Sequence, residues 1–218
     1  MRKKLLSLFN TIIVASLPFA ANSQVKDIEG HTYKTVQIGT QVWMAENLRA
    51  ERFRDSITIP LVLDNKAWDN LTTPGYCCYN NTFQNKATYG ALYNWYAVGT
   101  GKLCPAGWHV PTNTDWTTLT NQLGGESVAG GALKETGTIH WWPPNTGATN
   151  SSGFTAIPGG YRINLGAFGF LRECGYWWSA SDDDAINAGY YFVSYDKTNV
   201  LSSSTYKGAG LYVRCVMD

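Results

Sequence analysis

The chain has 218 residues with 17 Lys and Arg against 16 Asp and Glu, which gives a formal net charge of +1. Because binding of nucleic acid requires clustered basic residues, this near-neutral balance argues against a nucleic-acid partner. Charged residues make up 15% and aromatic residues 14% of the chain, a composition that excludes an intrinsically disordered protein.

The N-terminus has the pattern of an export signal. Basic residues 2–4 precede an apolar run over 5–17, and Ala21 and Ser23 satisfy the small-x-small rule for cleavage before Gln24. We therefore predict a signal peptide over 1–23 and a single domain over 24–218. The alternative is a membrane anchor, but polar residues interrupt the run and no second apolar stretch follows. The mature chain is expected in the periplasm, on the outer surface or outside the cell, without a membrane span.

The first half of the mature chain begins with a predicted hairpin. Alternation over 32–38, a Gly-Thr turn and a second run at 41–44 indicate two antiparallel strands. Residues 49–74 have no clear period and are expected to be irregular. Residues 90–98 form a short aromatic-rich element that periodicity leaves open between helix and strand.

Two helices are predicted in the middle of the chain. Thr112 and the residues after it carry start signals, Trp116, Leu119 and Leu123 recur at helical spacing, and two glycines follow. A second short helix is predicted over 128–136, with Gly137 as its terminator. The remainder reads as a loop-rich region to about 175, followed by strands at 176–179, 189–195, 199–201 and 211–217. The pattern indicates an α+β domain with small antiparallel sheets, two helices and long loops.

The cysteines favour a disulfide. There are five, Cys77 and Cys78 are adjacent, and no CxxC motif occurs, which argues against zinc and a redox dithiol. In an exported protein Cys104 and Cys215 are one candidate pair, and Cys174 is a candidate partner for Cys77 or Cys78. The sequence alone leaves the connectivity open.

Several strings in the mature chain are distinctive and follow one another in order. They are residues 36–49 (VQIGTQVWMAENLR), 89–96 (YGALYNWY), 103–112 (LCPAGWHVPT), 154–162 (FTAIPGGYR), 176–179 (YWWS) and 213–216 (VRCV). Together they resemble the Fibrobacter succinogenes major paralogous domain, a family of exported bacterial proteins whose biochemical role is largely undefined. The resemblance covers nearly all of the mature chain.

The resemblance implies a fold similar to C-type lectins and to the formylglycine-generating (sulfatase-modifying) enzymes. That fold places two helices beside a short antiparallel sheet in which the first and last strands meet. It also supports the pair of Cys104 with Cys215, because this fold type commonly joins a helix-proximal cysteine to the last strand.

Catalytic motifs are not recognisable in the sequence. It contains no nucleophile elbow, no HExxH zinc motif and no phosphate-binding glycine loop. An enzyme of the formylglycine-generating group would need a reactive, metal-binding cysteine pair. Cys174 and Cys215 are the only cysteines late in the chain, and Cys215 is expected to be structural. We therefore expect no catalytic residues and keep such an enzyme as the alternative.

Candidate binding residues lie in the loop-rich region and near the strands that follow it. Exposed tryptophans beside Asn and Asp suit sugar stacking or protein contacts, whereas the alternative, favoured by the usual burial of Trp, is that they fill the core. One of Trp177 and Trp178 is expected to face outward or to lie under a loop, since neighbours in a strand face opposite sides. The candidate residues are Trp141, Trp142, Asn145, Trp177, Asp182, Asp183 and Asp184.

A metal cofactor is not expected. The run Asp182–Asp184 offers oxygen ligands for calcium, but it lacks the alternation of a calcium-binding loop. A solvated acidic turn is the preferred interpretation, and calcium remains the alternative. The prediction is thus an exported, non-catalytic recognition or structural module at the bacterial cell surface. It would bind a protein or glycan of the cell envelope through loops 137–173 and 182–187.

Overall fold

A computed structural model describes residues 23–218 of the chain, and the signal peptide predicted over 1–23 lies almost entirely outside them. The described part has five α-helices: α1 (Asn65–Asp69), α2 (Phe83–Tyr89), α3 (Trp95–Val98), α4 (Asn113–Gln122) and α5 (Glu126–Leu133). Its strands are β1 (Gln24–Lys26), β2 (Thr32–Ile38), β3 (Gln41–Met44), β4 (Tyr76–Cys77), β5 (Leu92–Tyr93), β6 (Trp108–His109), β7 (Gly159–Arg162), β8 (Phe168–Leu171), β9 (Cys174–Asp182), β10 (Asn187–Ser194), β11 (Leu201–Tyr206) and β12 (Val216–Met217). The α+β class is therefore confirmed. None of the helices in this part of the chain is long and apolar enough to cross a membrane.

The first sheet has the strand order β1-β2-β3-β12-β6. The predicted hairpin is confirmed, with Val36 opposite Trp43 and Gly39 in the turn at a φ of +61°. The C-terminal strand β12 pairs with both β3 and β6, because Val216 lies opposite Trp43 on one side and His109 on the other. The last strand therefore lies inside the first sheet, where its neighbours are β3 and β6 and not β1.

The second sheet has the order β11-β10-β9-β7-β8. The strands predicted at 176–179 and 189–195 are present within the longer β9 and β10, and Trp177 lies opposite Tyr191. Two further strands, β7 and β8, lie in the region that was expected to be loop. β7 begins with two glycines and β8 contains one, and glycine is depleted in strands. Pairing with neighbouring strands overrides that local preference.

Helix α4 matches its prediction because its signals are local. The side chain of Thr112 accepts a hydrogen bond from the amide of Asp115, whose carboxylate accepts one from the Thr112 amide in return, forming a capping box. Helix α5 begins at Glu126 and ends at Leu133, earlier than the predicted 128–136. It ends there because Lys134 is extended and forms a parallel bridge with Ala156.

Two other predictions are corrected, and one open alternative is resolved. The segment 49–74 contains helix α1, capped by the side chain of Asp64. The ambiguous element at 90–98 is a strand followed by a helix, and the chain changes between them at Asn94, whose side chain caps α3. The strand predicted at 199–201 is longer and lies later in the chain, at Leu201–Tyr206, whereas the strand predicted at 211–217 is reduced to Val216–Met217.

The disulfide between Cys104 and Cys215 is confirmed, with a Cα–Cα distance of 6.0 Å and a sequence separation of 111. The predicted second pairing is wrong, because Cys77, Cys78 and Cys174 are buried free thiols. Cys77 and Cys174 belong to different hydrophobic clusters, which keeps the two thiols apart.

Aromatic rings fill the core on both faces of the second sheet. On one face Trp116 of α4 stacks on Tyr191, with a centroid distance of 4.9 Å, and also contacts Trp177. On the other face Trp178 is fully buried, and its Nε1 donates to the carbonyl of Tyr93 at 2.7 Å. Both strand tryptophans are therefore core residues, and neither faces the solvent.

Candidate functional site

The two tryptophans of the first pair have different environments. Trp141 is fully buried, and its Nε1 donates to the carbonyl of Ala156 at 3.1 Å. Trp142 is 44% exposed and meets the ring of Tyr195 edge-on. Only Trp142 of this pair is available to a partner.

Two other candidate residues are structural. Asn145 is buried, and its Nδ2 donates to the carbonyls of Glu135 and Gly137, both at 2.8 Å. Trp177 is buried, and its Nε1 donates to Oδ1 of Asn47 at 2.8 Å. The predicted roles of Asn145 and Trp177 in surface binding are corrected, because both side chains tie loops to the core.

The three aspartates lie at the turn between β9 and β10 and are exposed. Asp184 accepts hydrogen bonds from the amides of Ile186 and Asn187 at 2.6 and 2.7 Å. Hydrogen bonds from Asn187 lower the pKa of Asp184 below its ordinary value. Asp182 accepts from Nζ of Lys207 at 3.1 Å. Asp184 therefore stabilises the turn, while Asp182 and Asp183 line a pocket beside it.

That pocket, which we call the serine pocket, has a volume of about 350 Å³. It lies where the second sheet meets the start of α4, and Ser181 Oγ accepts from the amide of Asn113 at 3.1 Å. The serine pocket is lined by Asn113, Ser181, Asp182, Asp183, Gly189, Tyr190, Tyr191, Ser202, Ser203 and Ser204.

Regular strands hold the polar groups of the serine pocket. Gly189 lies opposite Ser204 and Tyr191 opposite Ser202 in the β10–β11 ladder. A hydroxyl both donates and accepts hydrogen bonds, a carboxylate accepts them, and the side-chain amide of Asn113 can do both. The pocket can therefore bond several neighbouring hydroxyl groups at once. Sequence reasoning found Asp182 and Asp183 but missed Ser202–Ser204, whose run of three serines directly after the strand predicted at 199–201 was the available signal.

An aromatic face adjoins the serine pocket and shares Tyr190 with it. Tyr161 stacks on Phe170 with a centroid distance of 5.7 Å, and Tyr176 stacks on Phe192 at 5.4 Å. Phe170 is 46% exposed and has a φ of +61°, a conformation that is strained for a bulky residue. The face therefore presents a partly exposed ring beside polar groups.

The acidic groups do not gather around a common point at the β9–β10 turn. Among the residues described, the one group of three possible metal ligands within 4.8 Å of one another is Asp27, Glu29 and His31. Asp27 already accepts hydrogen bonds from two backbone amides, from His31 Nδ1 and from the Tyr33 hydroxyl. This cluster closes the β1–β2 turn and is explained by its internal bonds.

Three buried cations anchor loops to the core, and no sequence pattern indicated them. Lys134, Arg162 and Arg214 are each no more than 1% exposed. Their main acceptors are backbone carbonyls, and all of these except that of Gly166 are at least 12 residues away. They are Thr146, Ser194 and Lys197 for Lys134, Val62, Leu63 and Gly166 for Arg162, and Phe154 and Thr155 for Arg214. These bonds fix loops that lack regular secondary structure.

Comparison with known proteins assigns the chain to a domain family. No curated protein and no solved structure gives a significant match. The model of the Fibrobacter succinogenes major domain matches residues 36–217, a span that contains the hairpin from Val36 onward, α4, the other strands of both five-stranded sheets except β1, and the serine pocket. The chain therefore belongs to the Fibrobacter succinogenes major domain family.

Proposed function

We propose that the protein is an exported, non-catalytic recognition module of C-type-lectin-like fold that binds a glycan or protein at the bacterial cell surface. The serine pocket is the binding site in this proposal. The observation that carries it is the convergence of hydroxyl, carboxylate and amide groups on rigid strands beside tyrosine rings. Sites of this composition suit hydroxyl-rich ligands, because many polar partners are needed and rings supply contact area.

A glycan is the favoured ligand of the serine pocket. Its lining is mostly polar, and the side chains of Ser202, Ser203 and Ser204 are all exposed. The adjoining aromatic face offers Tyr190 and the exposed Phe170 for stacking on a sugar ring. The loops 137–173 contribute less than expected, since Trp141 and Asn145 are held inside.

The second candidate function is an enzyme related to the formylglycine-generating group. It requires two reactive cysteines in a groove, whereas Cys215 is bonded to Cys104 and Cys174 is 7% exposed. Burial raises the pKa of Cys174, which keeps the thiol protonated and unreactive. The positions of these cysteines therefore favour the binding module.

The test is binding to an array of neutral oligosaccharides and to envelope extracts. Ser204→Trp fills the serine pocket from an exposed position opposite Gly189, and Ser151→Trp makes the same change in the Asn- and Ser-rich loop of residues 145–152. We expect the wild type and Ser151→Trp to bind the same ligand and Ser204→Trp to lose it. Loss in Ser151→Trp alone would place binding in the loop and contradict the proposed site.

A further inference from the structure

A second cavity, which we call the arginine cleft, lies on a different part of the molecule. It has a volume of about 440 Å³ and lies between the segment after β3, the end of α2 and residues 155–157. Several strings that carry the family resemblance meet there, those at 36–49, 89–96, 154–162 and 213–216. The cleft is lined by Ala45, Glu46, Asn47, Arg49, Ala87, Thr88, Gly90, Thr155, Ile157 and Arg214.

Arg214 is the buried cation of the arginine cleft, and its hydrogen bonds are incomplete. Nε donates to Oδ1 of Asn47 at 2.9 Å, Nη2 to the carbonyl of Thr155 at 2.8 Å, and Nη1 to the carbonyl of Phe154. A guanidinium has five N–H groups, so two of them lack an acceptor within residues 23–218. No carboxylate in that part of the chain forms an ion pair with Arg214 either.

The other two buried cations have more of their N–H groups bonded than Arg214 has. Lys134 uses all three of its N–H groups, and Arg162 uses four of its five. Buried donors without acceptors are costly and rare. Since Arg214 lines a cavity, the missing acceptor is expected to come from a molecule in that cavity.

Backbone strain marks the same place. Thr155 has a φ of +54°, and a β-branched residue in this region is an outlier. Its carbonyl faces the Arg214 guanidinium, and its amide and hydroxyl are held by Asn150. Such outliers persist where surrounding contacts enforce them, and they concentrate at binding sites.

The remaining groups of the cleft define the ligand. Two N–H groups on one cation match the two oxygens of a carboxylate, and Arg49 adds a second positive charge on the wall. Glu46 accepts from Arg49 at 3.2 Å, repels a doubly charged phosphate and can accept from a ligand hydroxyl. Ala45, Ala87 and Gly90 are small and leave room for a ring, and Ile157 adds an apolar side chain to the wall.

We propose that the arginine cleft binds the uronic acid residue of an acidic glycan, with the sugar carboxylate on Arg214 and a sugar hydroxyl on Glu46. This site is separate from the serine pocket and does not depend on the function proposed for it. The adjoining pocket of about 380 Å³ shares Ala45, Glu46 and Thr155 with the cleft, so it offers space for the next sugar of the chain.

The test is calorimetric titration of the protein with D-glucuronate, D-glucose and N-acetylalanine at low ionic strength. Thr88 is exposed at the rim of the cleft, so Thr88→Glu adds a negative charge and Thr88→Gln adds the same bulk without charge. We expect saturable binding of glucuronate only. Thr88→Glu should weaken it about tenfold through like-charge repulsion, while Thr88→Gln and Ser204→Trp bind as the wild type does.

Each other result overturns the inference. Equal binding of glucose removes the role of the carboxylate, and equal binding of N-acetylalanine removes the assignment to a sugar. Equal affinity of Thr88→Glu and Thr88→Gln, at equal melting temperature, removes the cleft as the site. Loss of glucuronate binding in Ser204→Trp would move the site to the serine pocket, and absence of glucuronate binding in the wild type would reject the proposal altogether.

Discussion

Replacement of Lys134 by methionine tests the role of the buried cations in the fold. The ammonium group is fully buried and donates to the carbonyls of Thr146, Ser194 and Lys197 at 2.8, 2.9 and 2.7 Å. These acceptors belong to two chain segments that are distant from α5 in sequence. Methionine keeps most of the apolar stem but removes every donor, so three carbonyls lose their partner.

The magnitude follows from two opposing contributions. Three hydrogen bonds to a charged group contribute about 1.5 to 3 kcal/mol each, or ~4 to 9 kcal/mol together. Burial lowers the pKa of Lys134 to about 8, which corresponds to a cost of about 3 kcal/mol for holding the charge inside. The expected net loss for Lys134→Met is therefore about 4 kcal/mol at pH 7. In a domain of this size, that loss lowers the melting temperature by roughly 12 °C.

Thermal and urea unfolding of the variant and of a matched control provide the measurement. Lys197→Met is the control, because the Lys197 side chain is exposed and only its carbonyl contacts Lys134. The control should stay within about 0.5 kcal/mol of the wild type. A free energy of unfolding for Lys134→Met equal to that of the control would refute the view that this cation holds the loops.

Three further predictions concern the crosslink, a cap and the first tryptophan pair. Cys215→Ser opens a loop whose ends are 111 residues apart and should cost about 4 to 5 kcal/mol; a melting temperature unchanged by the substitution would contradict this. For Asp115, burial raises the pKa, but hydrogen bonds from Thr112 and His109 outweigh burial and leave the pKa below its ordinary value. The stability that ionised Asp115 contributes is thus present above the ordinary pKa and is lost as pH falls through the native pKa. Asp115→Asn should therefore cost about 1 kcal/mol at pH 7 and nothing in strong acid. An equal difference in stability between variant and wild type at both pH values would be inconsistent with this prediction. Trp141→Ala should cost about 3 to 5 kcal/mol, whereas Trp142→Ala at an exposed site should reduce acrylamide quenching with little loss of stability; equal unfolding curves would show that Trp141 is not in the core.

The parts of the fold that depend on local signals were predictable from the sequence. The hairpin follows from alternation around Gly39, and α4 follows from the cap at Thr112 and the spacing of Trp116 and Leu119. The Cys104–Cys215 bridge came from the family resemblance and not from spacing. In each case a short stretch of sequence or a known family pattern is enough to predict the feature.

The remaining features depend on contacts between distant segments. Alternation in β9 suggested that Trp177 or Trp178 faces outward, but both faces of the second sheet are covered, so both are buried. Arg214 lies in one of the strings that carry the family resemblance, and yet its role depends on carbonyls some 60 residues away. The serine pocket likewise depends on β11 lying beside β10, which no local pattern specifies.

The way in which Lys134, Arg162 and Arg214 hold the loops has a consequence for how the protein varies. Their main acceptors are main-chain oxygens, and every residue type provides such an oxygen. Substitution at an anchored loop position can therefore replace the exposed side chain while the hydrogen bonds from the cation to the main chain are kept. The surface loops of such a domain can vary among duplicated copies, provided that the three cations and the apolar parts of their side chains are retained.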